Sequence, residues 1–208
     1  MRRIRLILLL ALLICVPAQA DFTGKVIGVS DGDTLTVLTD QLLQVKVRLS
    51  GIDAPEKAQP FGRLAKENLS DLVYGKPVLI QDRKIDRYGR TIGLVLVSMP
   101  SCKGECPKVL DISLEQIKQG LGWHYKAYQR EQPASERSAY AQAEIDAQTA
   151  RKGLWRDPEA VAPWEWRSSK RSQSSKGKPG EAQSNQPLPT AGNPCRAIKD
   201  ANGYRIEC

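Results

Sequence analysis

Five charged residues stand where short polar turns meet apolar segments. They are Asp33 in Asp31-Gly32-Asp33-Thr34; Arg48, Asp53 and Glu56 in Arg48-Leu49-Ser50-Gly51-Ile52-Asp53-Ala54-Pro55-Glu56; and Arg90, closing Asp86-Arg87-Tyr88-Gly89-Arg90. Carboxylates and arginines are the equipment of metal-assisted phosphodiester cleavage. A hard cation on oxygen ligands polarises the phosphate, a carboxylate orients or deprotonates water, and guanidinium groups neutralise charge growing on phosphoryl oxygens. Each residue also has a plain structural reading: Asp-Gly is a common hairpin turn, Asp53-Ala54-Pro55-Glu56 can start a helix, and Arg48 or Arg90 can be solvated or paired at the surface. An EF-hand loop is excluded, because Leu35 occupies a position that needs an oxygen ligand and no glycine follows it. His124 is the single histidine, which excludes mechanisms built on a histidine pair or on histidine metal ligands and leaves it a packed or surface neighbour. Residue types alone therefore permit this chemistry without showing it.

The elements that must position these residues are legible in the apolar pattern. Phe22 to Val29, Thr34 to Thr39 and Leu42 to Leu49 alternate or are β-branched, separated by Asp-Gly and Thr39-Asp40-Gln41 turn signals, and read as a three-stranded meander. Leu64, Ala65, Leu69, Leu72 and Val73 recur at helical spacing, with Gly75 at the C-terminal cap position. Pro77 to Gln81 and Ile92 to Ser98 read as two more strands. Ser113 and Gln116 suggest a capping box for a helix carrying Leu114, Ile117 and Leu121. A further helix places Ala139, Ala143, Ala147 and Ala150 on a packing face and stops at Gly153. Five short strands with about three packed helices predict an α+β fold built on a small OB-type β-barrel. Trp155, Trp164 and Trp166 are expected as core and clamp residues.

Arg2, Arg3 and Arg5 precede an apolar stretch from Leu6 to Val16 and the sequence Pro17-Ala18-Gln19-Ala20, the pattern of a signal peptide over 1–20. The stretch is too short to span a bilayer. A lipid anchor on Cys15 is disfavoured by Ile14 before it and Pro17 after it. The mature chain is expected to be exported, periplasmic or secreted, with no membrane attachment, and monomeric. The formal charge of +8 is no argument for a polyanionic partner, because residues 21–167 hold 21 basic against 20 acidic groups. Cys102, Cys106, Cys195 and Cys208 are an even set in an exported chain, and local pairing of 102 with 106 and 195 with 208 is favoured over a zinc site. Ser168 to Pro194, rich in Ser, Gln, Lys, Gly and Pro, reads as a disordered linker (168–194) before a short disulfide-closed segment (195–208), leaving 21–167 as the domain.

Five ordered segments carry a resemblance: Val29-Ser30-Asp31-Gly32-Asp33-Thr34, Val47 to Glu56, Asp86 to Arg90, Gln119-Gly120-Leu121 and Lys152-Gly153-Leu154-Trp155. Over about residues 22–167 the chain resembles the staphylococcal-nuclease-like (thermonuclease) family, and Pro163-Trp164-Glu165-Trp166-Arg167 is similar to the usual end of bacterial members. The resemblance implies one calcium ion held by Asp33 and Asp53 with the main-chain carbonyl of Ala54, Glu56 as general base, and Arg48 and Arg90 on the scissile phosphate. It further implies that Arg87, Tyr88 and one or both of Tyr125 and Tyr128 contact substrate, with several registers fitting around Trp123-His124-Tyr125. Ala54 stands where the family's best-known pattern has threonine, and the loop Lys57-Ala58-Gln59-Pro60-Phe61 is shorter and less basic. The implied activity is an endonuclease acting on DNA with little sequence preference, RNA being left open, and leaving 3′-phosphate ends. A non-catalytic OB-fold module binding single-stranded nucleic acid or another polyanion is the alternative. Retention of all five charged residues favours the enzyme.

Overall fold

The computed structural model describes residues 21–176 and the two strands Arg196–Asp200 and Gly203–Glu207. The first unit begins with an antiparallel meander of β1 (Phe22–Val29), β2 (Thr34–Thr39) and β3 (Gln44–Leu49), followed by the two-residue strand β4 (Ile52–Asp53) and α1 (Gly62–Val73). Then come β5 (Pro77–Ile85), β6 (Thr91–Ser98), β7 (Lys108–Asp111), α2 (Ile112–Lys118), β8 (Trp123–His124), α3 (Ala134–Thr149) and α4 (Pro163–Lys176). Strand order β3-β2-β1-β5-β6, closed by a parallel pairing of β3 with β6, makes a five-stranded mixed barrel of the OB type in an α+β fold, with β7 added beyond β6. Among the described residues no helix is long and apolar enough to cross a membrane.

The period-2 pattern sets which side chains fill the barrel. Leu35 and Val37 of β2, Val47 and Leu49 of β3, and Val95 and Val97 of β6 form one buried cluster with Leu69 and Val73 of α1. Gly75, with φ of 73°, turns the chain out of α1 and donates its N–H to the Val26 carbonyl (3.0 Å). Leu64, on the expected apolar stripe of this helix, is exposed.

The observed elements differ from the sequence reading at several places, among them β5, which runs on to Ile85 rather than Gln81, and α2, which ends at Lys118 so that Leu121 lies beyond it. β3 starts at Gln44 rather than Leu42, because Leu42 takes a left-handed conformation (φ 63°) in the hairpin turn and leaves Leu42 and Leu43 exposed. The N-cap of α2 is Asp111, whose side chain accepts from the Leu114 N–H (3.1 Å); β7 runs straight into the helix, so its last residue is the cap and Ser113 and Gln116 lie buried inside. On α3 the buried residues are Tyr140, Ala143, Glu144 and Ala147, with Ala139 and Ala150 exposed, since Tyr140 is drawn inward by its hydroxyl bond to Asp111 (2.7 Å). A fourth helix, α4, continues nine residues past Arg167 to Lys176, where composition suggested linker.

The β6–β7 loop is closed by the expected disulfide between Cys102 and Cys106, and Ser98 Oγ donates to the Cys106 carbonyl (3.0 Å). In the second unit β9 (Arg196–Asp200) and β10 (Gly203–Glu207) form an antiparallel hairpin. The signal segment 1–20, the greater part of the expected linker, and Cys195 and Cys208 lie outside the described residues.

Candidate active site

Strand register brings the charged residues together. Thr34 pairs with Arg48 across β2 and β3, which sets Asp33 beside Arg48 at the strand end, and the Leu49 N–H donates to the Asp33 carbonyl (2.8 Å). The parallel closure pairs Val47 with Thr91 and Arg48 with Ile92, so the turn ending in Arg90 is delivered next to Arg48. Asp53 is fixed by a separate two-residue ladder, Ile52 with His124 and Asp53 with Trp123. Two glycines allow the close packing beneath. A Cβ on Gly32 would lie 2.6 Å from the Ala65 Cβ and 2.7 Å from the Ala54 Cβ, and a Cβ on Gly62 would fall on the Glu56 carbonyl oxygen.

Asp33 (4% exposed) and Asp53 (0%) are buried carboxylates sharing one guanidinium. Arg48 donates through Nη1 to Asp33 Oδ1 (3.1 Å) and through Nη2 to Asp53 Oδ1 (2.7 Å), with Nη2 also 3.0 Å from Asp33 Oδ2. Asp33 accepts further bonds from the Ala54 N–H (3.1 Å) and the Thr34 hydroxyl (2.9 Å). Burial raises the Asp33 carboxyl above its ordinary value, against the opposing pull of Arg48, with Asp31 adding to the rise. Burial would lower Arg48, but Asp33 and Asp53 outweigh it and raise the guanidinium.

Glu56 is 39% exposed at its side chain and faces a second guanidinium. Arg167 of α4 donates through Nη1 to Glu56 Oε1 (2.6 Å) and Asp53 Oδ1 (3.2 Å), and through Nη2 to Asp53 Oδ2 (2.7 Å). Burial acts to lower Arg167, yet its bonds to Asp53 and Glu56 raise it. Arg90 does not touch these acids. It is held in its own turn by Asp86, through Nε (2.8 Å) and Nη2 (2.7 Å), while the Asp86 Oδ1 accepts the Tyr88 and Arg90 N–H groups.

Asp33, Arg48, Glu56, Asp86, Arg90 and Arg167 line one open cleft of about 970 Å³, together with Arg87, Tyr88, Tyr125 and Tyr128, while Asp53 is fully buried beneath its two arginines. Arg87 and Tyr88 project from the exposed turn, with the Tyr88 ring 5.4 Å from the Arg90 guanidinium. Tyr125 stacks on Trp164 (5.4 Å) and meets Tyr128 edge-on (5.2 Å). Burial raises the Tyr125 phenol, helped by Asp53. Trp123, Trp155 and Trp164 form a half-buried cluster, clamping rather than filling the core. His124 is buried, with Nε2 2.9 Å from Gln132 Oε1.

Three residues of this site were not singled out from the sequence. Arg167 was noted only as part of the Pro163 to Arg167 run. Gln116, read as a cap, instead donates to the carbonyls of Gly32 (2.7 Å) and Ala65 (3.0 Å) and accepts from Asn68, tying the Asp33 turn to α1. Gln59 accepts the Glu56 N–H (3.1 Å) and donates to the Val161 carbonyl (2.6 Å), joining the Glu56 loop to the start of α4. Its capping-box spacing from Ser113 is the only signal that marked Gln116, and Gln59 carried none.

The model of the staphylococcal nuclease homologue family matches residues 46–157. A micrococcal nuclease of Shigella flexneri is 38% identical over 156 residues, covering 75% of this chain and 86% of that protein. An uncharacterized endonuclease of Haemophilus influenzae is 42% identical over 145 residues, covering 70% and 72%. The staphylococcal-like nuclease CAN1 of Arabidopsis thaliana is 34% identical over 155 residues, covering 74% of this chain and 43% of the plant protein. With barrel, cleft and charged set in place, the chain belongs to the staphylococcal nuclease family.

Proposed function

We infer that the chain is an exported, calcium-dependent endonuclease that hydrolyses DNA with little sequence preference, acts as a monomer and leaves 3′-phosphate ends. The observation that carries this reading is the convergence of two buried carboxylates, Asp33 and Asp53, on one guanidinium beside Glu56. Such a donor set fits a hard cation. It is all oxygen, it carries formal negative charge, and it already holds positive charge between its two carboxylates. Among the described residues no cluster of three or more His, Cys, Asp or Glu side chains forms a metal cage, so the ion would keep waters and substrate oxygens as its other ligands. Asp33, Asp53 and the Ala54 carbonyl are the groups that would hold it. When bound, the cation supplies Lewis-acid polarisation of the phosphate.

The chain's own residues carry the remaining work. Glu56 takes the proton of the attacking water as its oxygen bonds to phosphorus, and Arg48 and Arg90 neutralise the charge on the phosphoryl oxygens. The P–O5′ bond breaks, the 5′ oxygen takes a proton, and the 3′ side keeps the phosphate. Tyr88, Tyr125 and Tyr128 offer aromatic faces that accept any base, in keeping with low sequence preference. The signal-like sequence over 1–20 and the Cys102–Cys106 disulfide support an oxidising, calcium-rich destination. The test is cleavage of labelled DNA and RNA oligonucleotides in calcium or magnesium, followed by end-group analysis. Ends that phosphatase shifts at the 3′ side, seen in calcium and weakly in magnesium, are expected; binding without cleavage would make the chain a nucleic-acid-binding module instead.

A further inference from the structure

Arg167 reaches the site from outside the barrel, and the fold holds it there. α4 opens at Pro163, which with Ala162 is buried, and Trp164 is stacked on Tyr125 and lies edge-on to Trp123 (5.7 Å). Arg167 follows Trp164 by three residues, so both side chains project from one side of the helix. Gln59 fastens the Val161 carbonyl just ahead of α4 to the Glu56 loop, which keeps Arg167 and Glu56 in reach of each other.

The two guanidinium groups between them engage both oxygens of Asp53: Arg48 and Arg167 on Oδ1, Arg167 alone on Oδ2. Three carboxylates, Asp33, Asp53 and Glu56, thus meet two arginines. A divalent cation seeking an oxygen of Asp53 must share it with a guanidinium or displace one. Arg48 is the harder to move: it sits on a strand paired on both sides, and its side chain is 18% exposed. Arg167 is on a surface helix, its side chain 36% exposed, with solvent to move into.

We propose that Arg167 is a built-in counter-cation of the metal end of the site, seated on Asp53 and Glu56 until a divalent cation displaces it, so that metal and the Arg167 contacts exclude one another. The proposal rests on the reading of Asp53 as a metal ligand. It makes Arg167 a regulator of metal affinity: the buried carboxylate stays paired while divalent cation is scarce, and Glu56 is released from its ion pair by the event that loads the site.

The test is calcium titration by isothermal calorimetry on the mature parent protein and on Arg167→Ala, Arg167→Gln and Arg167→Lys. Removing a cation that must be displaced should tighten calcium binding by about tenfold in the alanine and glutamine variants, the scale of one charge-assisted hydrogen bond at a partly exposed site. Arg167→Lys, which keeps the charge and loses the fork, should fall between them and the parent. In chelator the alanine variant should melt below the parent, with the gap closing at saturating calcium. Calcium affinity in Arg167→Ala that is weaker than the parent's, or equal within twofold, would overturn the proposal while leaving the metal reading standing. Absence of calcium binding in the parent and all variants would bring down the metal reading, and this proposal with it.

Discussion

The two ends of the cleft are built differently. At one end Asp33 and Asp53 are buried and Arg48 is half-buried between them, all three held by paired backbone on or beside the barrel strands, with Gln116 fastening the turn that carries Asp33. At the other, Arg87 and Tyr88 stand on an exposed turn held by Asp86 alone, with Tyr88 74% exposed. Asp33, Arg48 and Asp53 are held from several sides, as positioning an ion and a phosphate closely requires. The turn end can yield to whichever base arrives. Substitutions of Asp33, Arg48 or Asp53 should change chemistry and stability together, and those of Arg87 or Tyr88 should change binding alone.

The largest effect should come from Glu56→Gln, lowering the cleavage rate by about 10² to 10⁴, the range for loss of a general base. Because Glu56 is half exposed, the variant should keep the parent's melting temperature to within a few degrees. It should still bind a short oligonucleotide in calcium to within about tenfold, since several other contacts remain. A variant cutting as fast as the parent would remove Glu56 from the mechanism.

The two arginines sharpen the comparison. Arg48→Ala and Arg90→Ala should each cost at least about 10² to 10³ in rate, by analogy with loss of one transition-state donor. Only Arg48→Ala should also lower the melting temperature in chelator, since it strips the shared partner from Asp33 and Asp53, and calcium should restore part of that loss. Equal melting temperatures for the two variants would mean that the carboxylate end is no more rigid than the turn.

Gln116→Ala comes next. Leaving the Gly32 and Ala65 carbonyls without their donor should cost about 1 to 3 kcal/mol in urea denaturation. Activity should fall with it, because the turn carrying Asp33 loses its tie to α1; unchanged stability would show that water replaces the side chain.

The smallest effect belongs to Tyr88→Ala. Its stability should match the parent within about 0.5 kcal/mol, as for most exposed positions. Loss of one stacking face should raise KM by about tenfold at most while kcat holds.

What could be read in advance divides along the same line. The barrel strands were legible because runs of alternating or β-branched apolar residues bounded by turns are a local signal, and β2 and β6 carry such runs. The five charged residues were legible because they lie in short contiguous motifs. Arg167 was not, since it comes from a helix whose polar Ser-Lys-Arg-Ser composition looks like linker, and its partners are 111 and 114 residues away in sequence. Gln116 and Gln59 escaped for a related reason. A polar side chain bonding to distant backbone carbonyls leaves no periodicity to detect, and Gln116 happened to fit the spacing of a capping box that Asp111 made unnecessary.

The most direct measurement is plasmid degradation by the purified mature protein, parent beside Glu56→Gln, with calcium and with excess chelator. The account predicts that the parent degrades the plasmid in calcium and leaves it intact in chelator, and that Glu56→Gln is slower in calcium by at least about 10². Undiminished degradation by the parent after exhaustive chelation, or equal rates for parent and Glu56→Gln, would contradict it.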